Sequence, residues 1–288
     1  MEYFNPYEEV NKCSKRPNYP EDVHFNTGYE TLFCGGILGS HYYSSNKCFG
    51  LEHVPGYGYQ WLQRSDLVYG RRYATSIYLS NTSFIVLGGR TENPDHSKTE
   101  KSSEIMMNPM SPDEHFVLSD NLPEEMSLHC MARINNTHLF IAGDSSDGTA
   151  YIVNTDKEHY VFTELPRMNY YHSSAACGTT TNPGSSEDGK EDQLFIVAGG
   201  NPPGGNIRTE IFSTKTNAWK NGPLLPREFG QGGYFSDEEH PLIMVGGKYK
   251  SDVMAYEKYE NLFTYLPGKL NIARSDFAIG GIYTDEQC

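Results

Sequence analysis

The hydrophobic positions of this chain fall in short runs, and five of these runs end in glycine at intervals of roughly fifty residues. They read Leu32-Phe33-Cys34-Gly35-Gly36, Phe84-Ile85-Val86-Leu87-Gly88-Gly89 and Leu139-Phe140-Ile141-Ala142-Gly143, the last with Asp144 in place of a second glycine. Phe195-Ile196-Val197-Ala198-Gly199-Gly200 and Leu242-Ile243-Met244-Val245-Gly246-Gly247 complete the set. A shorter strand is expected before each copy, at Val23–Asn26, Arg72–Tyr78, His129–Ile134, His172–Cys177 and Gly230–Phe235, with one more at Ser275–Gly280. Two strands are expected after each copy. The first carries Glu104-Ile105-Met106, Ala150-Tyr151-Ile152, Glu210-Ile211-Phe212 or Val253-Met254-Ala255-Tyr256. The second carries one large aromatic (Trp61, Phe116, Tyr160, Trp219 or Phe263) and usually runs into Leu-Pro, as at Leu122-Pro123 and Leu225-Pro226.

Strands packed on both faces favour continuous apolar runs over strict alternation. A glycine pair ends a strand where the backbone bends close to its neighbour, and a proline stops an edge strand where a missing N–H costs little. The set resembles the kelch repeat over nearly the whole chain and implies an all-β, kelch-type β-propeller in a single domain, 1–288. Its blades are expected near 20–66, 71–123, 128–166, 171–226 and 229–267. A sixth blade is expected from 274–288 with 1–15, closing the ring by strands from both termini and leaving no open sheet edge. If the amino-terminal segment is only a tail, five blades remain.

Lys plus Arg number 23 against 37 Asp plus Glu, a formal net charge of −14, which argues against nucleic acid and anionic membranes as partners. No stretch approaches the roughly 18 apolar residues of a membrane span, so no membrane insertion is expected. Met1 is followed by polar Glu2, Asn5 and Glu8, so the chain is expected to be either cytoplasmic or a mature or truncated form.

Six cysteines bear on that choice. Cys13 and Cys288 fall in the two segments assigned to one blade, and a disulfide there would lock the ring. Cys34 ends one strand and Cys48 begins the next, and adjacent antiparallel strands bring Cα atoms within bonding range. Cys130 and Cys177 are left unassigned. The run from Cys34-Gly35-Gly36 to Cys48 also looks like kelch proteins of animal extracellular fluids. A secreted, oxidised protein is therefore expected, with a cytosolic protein of buried thiols as the alternative. Sequons at Asn81-Thr82-Ser83 and Asn135-Asn136-Thr137 fall in turns between first and second strands and make both asparagines candidate glycosylation sites.

Antiparallel order places the loops between blades, and those after each glycine pair, at one end of the strands. The sequon turns lie at the other end. Loops of the first kind include 39–46, with Tyr42 and Tyr43, and the charged stretch 90–102. The resemblance implies arginines at the start of the innermost strands as anchors for acidic groups, here Arg71 or Arg72 and Arg274, although most blades lack one. The leading expectation is a non-catalytic binding module for a protein or glycan, with no cofactor and no metal. One alternative is an enzyme using His129, His172, Glu228 and Tyr171 as acid, base or metal ligands. Another is an intracellular adaptor. Neither a Gly-x-Ser-x-Gly elbow nor a phosphate-binding Gly-x-x-x-x-Gly-Lys loop occurs. Asp237-Glu238-Glu239 and Glu124-Glu125 read as solvated turns.

Overall fold

The computed structural model describes residues 5–8, 17–24, 26–29, 31–39, 43–80, 82–93, 96–109, 111–143, 148–156, 159–182, 191–200, 207–275 and 277–279, and contains no helix among them. Five four-stranded antiparallel sheets form, each with its strands side by side in chain order, as the blades of a β-propeller. Blade one holds Thr27–Tyr29, Leu32–Cys34, Cys48–Val54 and Gly58–Arg64. Blade two holds Thr75–Ser80, Ser83–Leu87, Ser103–Met107 and His115–Leu118. Blade three holds Cys130–Asn135, His138–Ala142, Ala150–Asn154 and Val161–Glu164. Blade four holds Ala176–Thr181, Gln193–Ala198, Thr209–Ser213 and Ala218–Asn221. Blade five holds Gly233–Phe235, Ile243–Val245, Lys250–Glu257 and the long strand Leu262–Arg274.

The glycine pairs have a common geometric cause. Gly35, Gly36, Gly88, Gly89, Gly199, Gly200, Gly246 and Gly247 all have positive φ, a region closed to most side chains. The N–H of the first glycine donates to the carbonyl just before the third strand, Gly35 to Lys47, Gly88 to Ser102 and Gly199 to Arg208, and in blade five Gly246 donates to Asp252 inside that strand. The N–H of the second donates onward to the next segment: Gly36 to Arg71, Gly89 to Met126, Gly200 to Phe229 and Gly247 to Arg274. A Cβ on Gly35 would lie 2.4 Å from the Arg71 carbonyl oxygen, so space and φ both demand glycine there.

The chain forms two compact units, one mainly from residues up to Ser127 and the other mainly from Leu128 onward. In the first unit, Leu32, Cys34 and Cys48 of blade one pack with Tyr78, Phe84, Val86 and Met106 of blade two. In the second, Phe195 and Val197 of blade four turn toward Phe140 and Ala142 of blade three. Their chain neighbours Leu194, Ile196 and Ala198 join Leu242 and Met244 of blade five. The second strand of blade four thus feeds two cores by its period of two, which is why it is apolar throughout. The outer tryptophans link segments as well. Trp219 packs on Phe212 at 5.3 Å and donates its indole N–H to the Pro166 carbonyl at 2.6 Å. Trp61 does the same toward Pro17, at 3.1 Å.

Four expectations change. The first strand of blade one is Thr27–Tyr29, not Val23–Asn26, because Val23–His24 pairs instead with Ile37–Leu38. The other first strands also begin later than expected, since the residues before them turn under a glycine pair rather than entering the sheet. In blade three the residue opposite Val153 is Phe162, so Phe162 and not Tyr160 takes the place Trp219 has opposite Phe212. Among the described residues the four-stranded sheets number five, the smaller of the two blade counts the sequence allowed, and Arg274 ends the last strand of blade five instead of opening a sixth. Most of the proposed sixth blade, with Cys13 and Cys288, lies outside the described residues. The Arg274 carbonyl takes the Gly247 N–H as Arg71 takes that of Gly36. Asn5 also caps its turn through Oδ1, accepting from the Tyr7 N–H as Asn154 does from Asp156.

Candidate functional site: inter-blade loops pinned by buried carboxylates

Glu104 and Glu210 occupy the same place in their blades, opposite Val86 and Val197, and both are fully buried. A carboxylate in a dry site persists only if its oxygens are saturated with donors. Glu104 accepts from the Val68 N–H at 2.6 Å, the Tyr69 N–H at 3.1 Å and Arg71 Nη2 at 2.5 Å. Glu210 accepts from the Asn169 N–H at 2.9 Å, Asn169 Nδ2 at 2.6 Å and the Tyr170 N–H at 2.9 Å, and meets His172 Nε2 at 3.2 Å. Burial alone would raise the Glu210 carboxyl, but these hydrogen bonds outweigh it and hold the group below the usual carboxylate range.

Arg71 and His172 complete matching latches. Arg71 donates through Nη1 to the carbonyls of Gly88 (2.7 Å) and Ser102 (3.0 Å). His172 meets the Gly199 carbonyl through Nδ1 at 2.6 Å. Blade five has a variant in which Arg227 pairs with Asp252 and donates to the Gly246 carbonyl. Each latch ties an inter-blade loop to the first glycine and the third strand of the blade it enters. Blade one has the Cys34–Cys48 disulfide at this level, with Cα atoms 4.1 Å apart.

The pinned loops present side chains to solvent. Val68, Tyr69 and Tyr171 are 46%, 45% and 48% exposed, although the backbone beside each is bonded to a buried carboxylate. Tyr170 carries the Arg208 guanidinium 4.0 Å above its ring. The loop after the glycine pair of blade two is braced too. Arg90–Asn93 pairs with His96–Thr99, and Arg72 clasps Glu92 through both terminal nitrogens.

The residues singled out from sequence therefore divide. Arg71 is fully buried and engaged inside blade two, while Arg72 is committed to Glu92. Tyr43 is exposed, and Tyr42 lies outside the described residues. His172 is buried on Glu210, Glu228 is exposed and paired with Lys248 at 3.2 Å, and Tyr171 faces solvent. His172 and Glu228 are thus held by different partners. Among the described residues, no three His, Cys, Asp or Glu side chains gather as a metal site would need. Sequence reasoning missed Glu104 and Glu210, although the recurrence of Glu-Ile where other blades carry Tyr151 or Met254 was a visible signal.

His129 is buried, and burial lowers its imidazole to about 4. It folds neutral, so its contribution to stability is fully present above its unfolded value near 6.5 and is lost as pH falls toward 4. One histidine with this shift contributes about 3 kcal/mol. We expect His129→Gln to flatten the fall in stability between those pH values in urea titrations. An unchanged slope would remove His129 as its source.

No family model matches the chain, and no curated protein matches it. Among solved structures it is similar to that of YjhT, with a TM-score of 0.66 and 13% sequence identity over 92% of this chain and 89% of that one. At that identity the likeness carries the fold alone, and the fold is a β-propeller.

Proposed function

We propose that this chain is an extracellular, kelch-type binding module that is not catalytic. It takes a protein or glycan partner on the inter-blade loops and the loops after the glycine pairs. The observation that carries this reading is the pinning of aromatic-bearing loops by buried carboxylates. The Tyr69 N–H is bonded to Glu104, and Tyr171 follows Tyr170, whose N–H is bonded to Glu210. Fixed tyrosines offer contact area with little entropy left to lose on binding. The Cys34–Cys48 and Cys130–Cys177 bridges support an oxidising compartment.

The test is a panel of immobilised secreted ectodomains and glycans, probed with the wild type, Tyr69→Ser, Tyr171→Ser and Tyr259→Ser. Tyr259 is an exposed tyrosine of a hairpin at the opposite strand ends. A ligand bound by the wild type should lose about tenfold or more in affinity with Tyr69→Ser or Tyr171→Ser and keep it with Tyr259→Ser. Loss with Tyr259→Ser alone would place the site elsewhere.

A further inference from the structure

The turn between the first two strands of blade three contains a side-chain arrangement that no part of the binding site uses. Asn135 pairs with His138 across a two-residue turn and is exposed. Its Oδ1 accepts from the Thr137 backbone N–H at 2.9 Å and from Thr137 Oγ1 at 3.1 Å, with His138 Nδ1 at 3.2 Å. A backbone N–H can only donate, so this contact fixes which end of the amide is oxygen. The oxygen is saturated with local partners, while Nδ2 donates to none of the described groups and faces solvent. Hydrogen bonds to an amide oxygen draw charge from the nitrogen and ease removal of its proton. Thr137, the hydroxyl residue of the sequon, supplies two of those bonds. All of these contacts lie within four residues, so they can form before the blade does.

We propose that Asn135 is modified by an N-linked glycan through Nδ2. The step needs a lipid-linked glycosyl diphosphate as co-reactant. The Asn135 nitrogen forms a bond to the anomeric carbon and loses one proton, while the bond from that carbon to the diphosphate oxygen breaks and the lipid diphosphate leaves. The inference rests on the extracellular reading above. A glycan here would cover the turn end of blade three and leave its inter-blade loops open, which is the end that reading needs.

The experiment expresses the full chain behind a secretory leader in eukaryotic cells. The purified protein is digested with and without a peptide N-glycosidase and mapped by mass. Asn135 should be glycosylated in the wild type and in Thr137→Ser, and unmodified in Thr137→Ala and Asn135→Gln. Converting Asn135 to Asp by the glycosidase marks the site independently of the variants. Secreted protein with Cys34–Cys48 and Cys130–Cys177 formed but Asn135 unmodified would overturn the glycan while leaving the binding module intact. Failure to be secreted, or secretion with these thiols free, would overturn both.

Discussion

Replacing Glu210 by alanine is expected to destabilise the protein by about 3–5 kcal/mol, as breaking a buried charged network does. The substitution removes the acceptor of the Asn169 and Tyr170 amides and the partner of one nitrogen of His172, whose side chain is fully buried. Glu210→Gln keeps one oxygen and the shape, and should cost about 1–3 kcal/mol. Glu228→Ala, at an exposed carboxylate in the same unit, should stay within about 0.5 kcal/mol of wild type. Urea unfolding of the three variants decides the matter, and equal losses for Glu210→Ala and Glu228→Ala would mean Glu210 pins nothing. The pH dependence has a definite sign. The Glu210 carboxyl is depressed in the fold, so its contribution is present above its unfolded value and is lost as pH falls through the folded one.

The second large effect concerns Cys130 and Cys177, whose disulfide joins the first strands of blades three and four. Their separation of 47 residues makes the bridge worth about 4 kcal/mol by the loss of freedom in the unfolded chain. The Cys34–Cys48 bridge closes a separation of 14 and should contribute about 3 kcal/mol on the same basis. Paired alanine substitutions, Cys130→Ala with Cys177→Ala, should therefore lower the urea midpoint more than Cys34→Ala with Cys48→Ala. The reverse order would show that packing around the thiols, rather than chain connection, sets the cost.

The repeat was legible because its glycines answer a local demand. A backbone with positive φ against a neighbouring carbonyl leaves little choice of residue, so Gly35 and Gly199 show in the sequence as they stand in the fold. The Cys34–Cys48 bridge was legible for a similar reason, since the two residues lie directly opposite on adjacent strands. Cys130–Cys177 was not, because it joins first strands of separate blades, and spacing along the chain says nothing of how blades face each other. Arg71 was marked as an anchor for a ligand and His172 as a catalytic candidate, but hydropathy cannot tell a guanidinium aimed at a ligand from one aimed at Glu104. The partner carboxylates were overlooked because a glutamate inside an apolar strand reads as an interruption until its donors are in place. Tyr160 was preferred to Phe162 because two aromatics one residue apart cannot be ranked without the strand register.

The reading of this chain as an extracellular binding module is tested most directly by mapping its cysteines in protein recovered from its natural source. Thiols would be blocked at harvest and the peptides mapped without reductant. The account predicts Cys34 joined to Cys48 and Cys130 joined to Cys177, with the proposed Cys13–Cys288 bridge in the same digest. Free, alkylated thiols at Cys34, Cys48, Cys130 and Cys177 would contradict it and place the propeller in a reducing compartment.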